Sequence, residues 1–310
     1  MFLHEAPDFP DLLAVAGGEL DIDPALVEKD YWIMHCLHGL QRAGYAFELK
    51  GGTSLSKGYR LIHHFSEDID IKIMPPDTLA VGRNHRKQAH IEARRAYFDA
   101  LADDIRIPGI TVQRDLAFDD ERMRNAGIRM NYDSVNAVPE GVKQGVLLEA
   151  GFDETAPNRP CDISSWAFER ARQSDLSDIE DNRAFGVPCY EPGYTFVEKL
   201  QTISTKFRKQ QETGSLQQNF MRHYYDVYCL LDCADVRSFI GTDDYIAHKE
   251  TRFRQADEQR ISRNEAFLLS DDQTREIYEK AYQATSALYY RDMPDFLAIL
   301  DRIAEHADRL

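Results

Sequence analysis

Between Lys50 and Ile73 the chain reads KGGTSLSKGYRLIHHFSEDIDIKI, and this order leaves a fold little choice. From Asp68 to Met74 (DIDIKIM) charged and apolar residues alternate, which predicts a half-buried β-strand with both carboxylates of the Asp-x-Asp pair on one face. Pro75-Pro76 stops that strand, because proline has no donor for a sheet. Upstream, Tyr45 to Lys50 (YAFELK) reads as a short strand that delivers the chain to Gly51-Gly52, and Thr53 to Tyr59 as a brief helix. The glycine pair lets backbone approach a phosphate closely, and the amides opening the next helix face it. Two carboxylates nearby suit a hard divalent cation, Mg²⁺ or Mn²⁺, which takes oxygen ligands and shares them with substrate phosphates. Each part is weak alone. An Asp-x-Asp arises by chance among 53 acidic residues, and Gly-Gly before a helix is often a tight turn. It is the order that predicts phosphoryl chemistry on a nucleotide, with the Gly51-Gly52 turn at the phosphate.

Elsewhere the pattern predicts an α/β first half and a mostly helical second half. Asp23-Pro24 before ALVEKDYWIMHCLHGLQRAG supplies an N-cap, a first-turn proline, an apolar stripe and a terminal Gly44. Asn84 to about Ile105 reads as a basic amphipathic helix, and Ile110 to Leu116, Gly127 to Tyr132 and Gly145 to Phe152 as strands separated by turns at Asn125, Asp133, Pro139 and Gly141. The character changes after Pro160, so residues 1–160 are expected to form a mixed-sheet core and 161–310 a helical lobe. A strand-like Gly186 to Glu191 leads into a helix from about Tyr194 to Lys209. After the linker QQETGSLQQ come helices near Asn219 to Leu231, Asp271 to Ala287 and Pro294 to Ala307.

The net charge of −16 argues against nonspecific coating of nucleic acid, since phosphate contacts dominate that affinity. Three basic clusters, Arg83 to Arg95, Lys206 to Lys209 and Arg252/Arg254/Arg260/Arg263, are solvated helix faces or a local RNA surface. No apolar run approaches the roughly 20 residues that span a bilayer, and the N-terminus lacks a basic segment followed by a long apolar one. Five scattered cysteines without a C-x-x-C pair fit reduced thiols in a cytoplasm. His35, Cys36 and His38 form no zinc set, Cys229 and Cys233 suit a core, and aromatic pairs such as Tyr31-Trp32 and Tyr289-Tyr290 suit helix packing. The G-x-S-x-G, G-x-x-x-x-G-K-[ST] and H-E-x-x-H motifs are absent from the sequence.

Lys50-Gly51-Gly52-Thr53-Ser54-Leu55 followed by Phe65-Ser66-Glu67-Asp68-Ile69-Asp70-Ile71 closely resembles the nucleotidyltransferase signature of the DNA polymerase beta superfamily, in particular that of the AbiEii/AbiGii abortive-infection toxins. The resemblance implies an α+β fold, a mixed-sheet nucleotidyltransferase lobe followed by a helical one. It also implies a third carboxylate on a neighbouring strand. Glu149, inside the apolar run VLLEA, is the candidate metal ligand beside Asp68 and Asp70. The alternative for Glu149 is a solvated sheet face.

Tyr194 to Leu200 (YTFVEKL) resembles the family segment whose lysine contacts the triphosphate, which maps onto Lys199. Arg222 to Leu230 (RHYYDVYCL) resembles a later segment with a functional aspartate, which maps onto Asp226. The competing explanation for these two is a structural pair between packed helices. Lys199→Glu is expected to abolish transfer without unfolding the chain. Ser66 matches the family motif, which implies a hydrogen bond to phosphate or a role in fixing the loop, and Thr53 stands for the serine that often follows the glycine. Many members carry an arginine just before Phe-Ser, where this chain has His63-His64, so the arginine's contact is open.

By resemblance the role is a toxin in a toxin–antitoxin or phage-defence pair, using an NTP substrate, with a tRNA 3′ end as acceptor and a cognate antitoxin as partner. Two other classes stay open: a small-molecule transferase of the aminoglycoside-modifying kind, and a nucleotide-binding module without transfer.

Overall fold

The computed structural model describes residues 1–310 except Arg83, 138–141, 175–177 and Gln217, and of residues 218 and 219 it describes the backbone only. The turn predicted at Pro139 and Gly141, the first residue of the first basic cluster, and part of the predicted linker lie outside the described residues. The chain divides into two compact units, Met1–Tyr59 with Ser66–Tyr190, and Arg60–Phe65 with Glu191–Leu310.

The first unit runs α1 (Phe9–Leu20), α2 (Pro24–Arg42), β1 (Phe47–Lys50), α3 (Gly51–Thr53) continuing into a π-helical turn (Ser54–Gly58), β2 (Asp68–Ile73), α4 (Gln88–Asp104), β3 (Thr111–Asp115), β4 (Asn125–Asn131), β5 (Val146–Gly151), β6 (Asn158–Ile163), α5 (Trp166–Arg172) and β7 (Ala184–Tyr190). Its strands form one sheet in the order β3-β4-β5-β2-β1-β7-β6. The β2–β5 and β1–β7 pairs are parallel and the other pairs antiparallel, so the sheet is mixed and the fold is α+β.

Local chemistry explains the elements that position the site. The Asp23 carboxylate accepts from Ala25 N at 2.8 Å and starts α2, and residues from Ala25 to Leu37 are all buried. In β2 the alternation sends Ile69, Ile71 and Ile73 into the core and leaves Asp68, Asp70 and Lys72 on the opposite face. Burying each isoleucine contributes roughly 1.5–3 kcal/mol, and a one-residue slip would bury the aspartates instead.

The sheet extends further than the change of character at Pro160 predicts, because β6 and β7 carry it to Tyr190. Pro160 is tolerated because β6 is the last strand of the sheet order, where a missing N–H costs little. Helix α4 begins at Gln88 rather than Asn84. Fully buried Arg94 takes the carbonyl of His85 at 3.2 Å and so holds that segment outside the helix.

The second unit contains α6 (Pro192–Thr213), α7 (Arg222–Leu230), α8 (Ala234–Phe239), α9 (Asp243–Arg252), α10 (Glu265–Leu268), α11 (Asp272–Gln283) and α12 (Phe296–His306). Helix α6 outruns the predicted helix and stops at Gly214, whose φ of +69° suits glycine. The strap Arg60–Phe65 is laced to the segment before α12. Phe65 N donates to Leu288 O at 2.7 Å, and Tyr290 N donates to His63 O at 3.1 Å.

Candidate active site

The sheet brings the acidic residues of two strands together. In the parallel β2–β5 pair Asp70 lies opposite Glu149, and Asp68 shares the Asp70 face two residues earlier. On the other side of β2, Lys50 of β1 lies opposite Asp70. The chain then turns over this row at Gly51, which adopts a φ of +71°, and a Cβ there would collide with the Asp70 carboxylate. Only a glycine combines that backbone with that approach. A Cβ on Gly52 would fall 2.7 Å from Ser66 Oγ. Thr53 Oγ1 donates to Asp68 O at 2.5 Å and shares a 3.0 Å hydrogen bond with Ser66 Oγ. Thr53 and Ser66 thus tie the glycine turn to the start of β2, while Ser54 is fully buried. Gly51→Ala is expected to cost about 1–2 kcal/mol from backbone strain alone and to displace Asp70. A lower melting temperature together with reduced nucleotide transfer checks it.

The electrostatics of the row are those of crowded anions. Burial, with Asp70 and Asp68 adding to it, pushes the Glu149 carboxyl up to about 7. Because the folded state holds that proton more tightly than the unfolded chain, its stabilising effect is full below about pH 4.5 and is lost as pH rises through about 7. Metal-free protein is therefore expected to lose melting temperature over that window, and Glu149→Gln to lose less. Equal slopes for the two proteins in calorimetric scans would contradict the assignment.

The donor set fits a hard divalent cation: three carboxylates, no sulfur or imidazole, and one oxygen, Asp68 Oδ1, that is buried without a hydrogen-bond partner. Among the described residues no group of three or more His, Cys, Asp or Glu side chains is drawn close enough to hold an ion as it stands. Asp68 Oδ2 is instead engaged by Lys143 Nζ at 2.8 Å.

Lys199 and Asp226 meet in the second unit, on α6 and α7. Asp226 Oδ2 is 2.7 Å from Lys199 Nζ, and Oδ1 is 2.7 Å from His64 Nε2. His223 Nδ1 stands 3.1 Å from Lys199 Nζ and 3.4 Å from Asp226 Oδ2. Burial opposes the Asp226 carboxylate, but Lys199, His64 and His223 together hold it well below the usual carboxylate range. His64, which directly precedes the Phe65-Ser66 of the motif, thus binds Asp226. Its neighbour His63 lies near Arg291, with Nε2 and Nη1 3.3 Å apart. Lys199→Glu now has a different expected outcome from the one the sequence alone gives. It would set two carboxylates side by side in a buried place, so Lys199→Met is the cleaner variant.

Four charged residues of the first unit escape a sequence reading. Glu28, Lys29 and Asp30 of α2 are all buried. Glu28 accepts from Val135 N at 2.9 Å and Asn136 N at 3.1 Å, Lys29 Nζ donates to Lys143 O at 2.6 Å, and Asp30 accepts from Trp166 N at 2.8 Å and pairs with Lys57. A signal exists, because charges at three successive positions of a helix apolar all round cannot all reach solvent. For Lys143, in a loop, there is none.

Many basic side chains are spent internally. Arg94 is bound to the carbonyls of Ala80 and Arg122, Arg208 to Asp257 at 2.7 Å and Glu212 at 2.8 Å, and Arg252 to Glu198. His35 and His38 are likewise structural, bound to the carbonyls of Pro108 and Arg183. No helix among the described residues is long and apolar enough to cross a membrane.

A carboxylate row under a glycine turn on a mixed sheet belongs with enzymes that handle nucleotide phosphates. The family model described as nucleotidyl transferase AbiEii toxin, type IV toxin–antitoxin system, matches residues 37–302, and the chain belongs to that family. It is a nucleotidyltransferase of toxin type, and the family implies an antitoxin partner and an NTP substrate. Among solved structures the chain is similar to an antigenic nucleotidyltransferase-like protein from Paracoccidioides brasiliensis, at 12% identity and a TM-score of 0.32 over 73% of this chain and 94% of that one. A comparison with curated proteins gives no match.

Proposed function

We propose that this chain transfers a nucleoside monophosphate from an NTP to an acceptor hydroxyl, a tRNA 3′ end, with Asp68, Asp70 and Glu149 holding Mg²⁺ or Mn²⁺. The observation that carries the reading is the register of Asp70 with Glu149 beneath a glycine turn that tolerates no side chain. The acceptor oxygen attacks the α-phosphorus, the new O–P bond forms, the α–β bridging bond breaks and pyrophosphate leaves. The metal would supply charge neutralisation at the phosphates. Gly51 and Gly52 offer backbone at close range, Thr53 and Ser66 fix the turn, and Ser54 continues the turn on which phosphate is received. Lys199 keeps the role the motif gives it, an ammonium for the triphosphate, with Asp226 as its positioning partner. Acceleration comes mainly from placement and electrostatics.

The role proposed is that of a toxin whose antitoxin restrains it, within phage defence. The test supplies each α-labelled NTP in turn with total tRNA, a protein mixture and aminoglycosides. Label in tRNA supports the proposal. Label in protein or the drug overturns the acceptor, and nucleotide binding without label overturns transfer.

A further inference from the structure

We infer that Lys143 is a built-in counter-ion of the carboxylate row, and that it must leave Asp68 before a divalent cation is held there. The inference rests on the proposed role of Asp68 as a metal ligand. The ammonium lies 2.8 Å from Asp68 Oδ2, in a place where a cation bound by that carboxylate would compete with it. Its two ends are held very differently. The backbone is anchored by a residue from a distant part of the chain: Lys29 Nζ, on α2 and only 2% exposed, donates to Lys143 O at 2.6 Å. The side chain is 32% exposed and its ammonium, while on Asp68, also sits 5.1 Å from the centre of the Phe118 ring, a face that favours a cation. A long, flexible lysine on a fixed stem is suited to moving its charge without moving the loop.

The other carboxylate oxygen carries the second half of the argument. Asp68 Oδ1 is buried and has no hydrogen-bond partner, although buried carboxylate oxygens ordinarily have one. Lys143 therefore satisfies one oxygen of Asp68 and leaves the other, the buried one, without a partner. This also accounts for the three carboxylates sharing a face without forming a closed cage. In the resting protein the lysine offsets part of the repulsion within the row; a divalent ion, with twice its charge, replaces it.

The experiment measures Mn²⁺ binding to the full chain by electron paramagnetic resonance, without nucleotide, in the natural protein, Lys143→Met, Lys143→Arg and Asp68→Asn. Lys143→Met is expected to bind Mn²⁺ at least fivefold tighter, and Lys143→Arg, which keeps the charge, to stay within about twofold of the natural protein. Asp68→Asn is expected to lose the site. Unchanged or weaker binding in Lys143→Met, with Asp68→Asn still defective, overturns the counter-ion role alone. Unaltered binding in Asp68→Asn overturns the metal-ligand reading beneath it. Lys143→Arg also serves if Lys143→Met fails to fold, because tighter binding by the arginine variant would equally contradict competition by charge.

Discussion

Asp70→Asn is expected to lose nucleotide transfer by about three orders of magnitude while melting no lower than the natural protein. The two halves of that expectation come from the same geometry. Asp70 stands in register with Glu149, two residues from Asp68 on the same face, and directly under Gly51. As the proposed metal ligand Asp70 would help to stabilise charge at the phosphates, and its loss is expected to be decisive, since ~4 kcal/mol corresponds to about a thousandfold in rate. Without metal the same carboxylate is one of the two anions that, after burial, push Glu149 up to about 7. Asparagine keeps the shape and removes the repulsion. Rates with labelled NTP and a thermal melt in chelator check both halves. Activity within tenfold of the natural protein would remove Asp70 from the site.

The second large effect is structural. Asp226→Ala strips the anion from beneath Lys199 and His64, both of which are buried. Breaking a buried ion pair from one side costs about 3–5 kcal/mol, because the remaining charge is left in a low-dielectric place. A fall in the urea midpoint of far-UV circular dichroism would register it. The natural fluorophores Trp32 and Trp166 both belong to the sheet-bearing unit and do not report α7 directly. The double variant Lys199→Met with Asp226→Leu separates structure from function. Replacing a buried pair by apolar residues of similar volume is often neutral or stabilising. Its stability is expected to return toward the natural value while transfer stays lost. A double variant that transfers nucleotide would reduce the pair to packing.

Much of the carboxylate row is legible in the sequence because its signals are local. The alternation of β2 fixes which face carries Asp68 and Asp70, and a single charge among Val146, Leu147, Leu148 and Ala150 marks Glu149 as exceptional. The Asp23 cap and first-turn proline announce α2. What stays hidden depends on partners far away in the chain. Nothing near Lys29 announces that it will hold the carbonyl of Lys143, 114 residues later, or near Glu28 that it will cap Val135. The basic run before Arg95 looks like a solvated face, yet Arg94 is wholly buried, because three loop carbonyls converge on its guanidinium. Strand β6 is missed for another reason. Asn158–Ile163 contains a proline and little apolar alternation, and its place at the end of the sheet order is a property of topology.

The central claim, nucleotidyl transfer to a tRNA hydroxyl, is tested most directly by following two labels on the same NTP. With phosphorus-32 at the α position, label is expected to enter tRNA, and with phosphorus-32 at the γ position it is expected to leave as pyrophosphate. Entry of the γ label into the acceptor, or of neither label, would contradict the account.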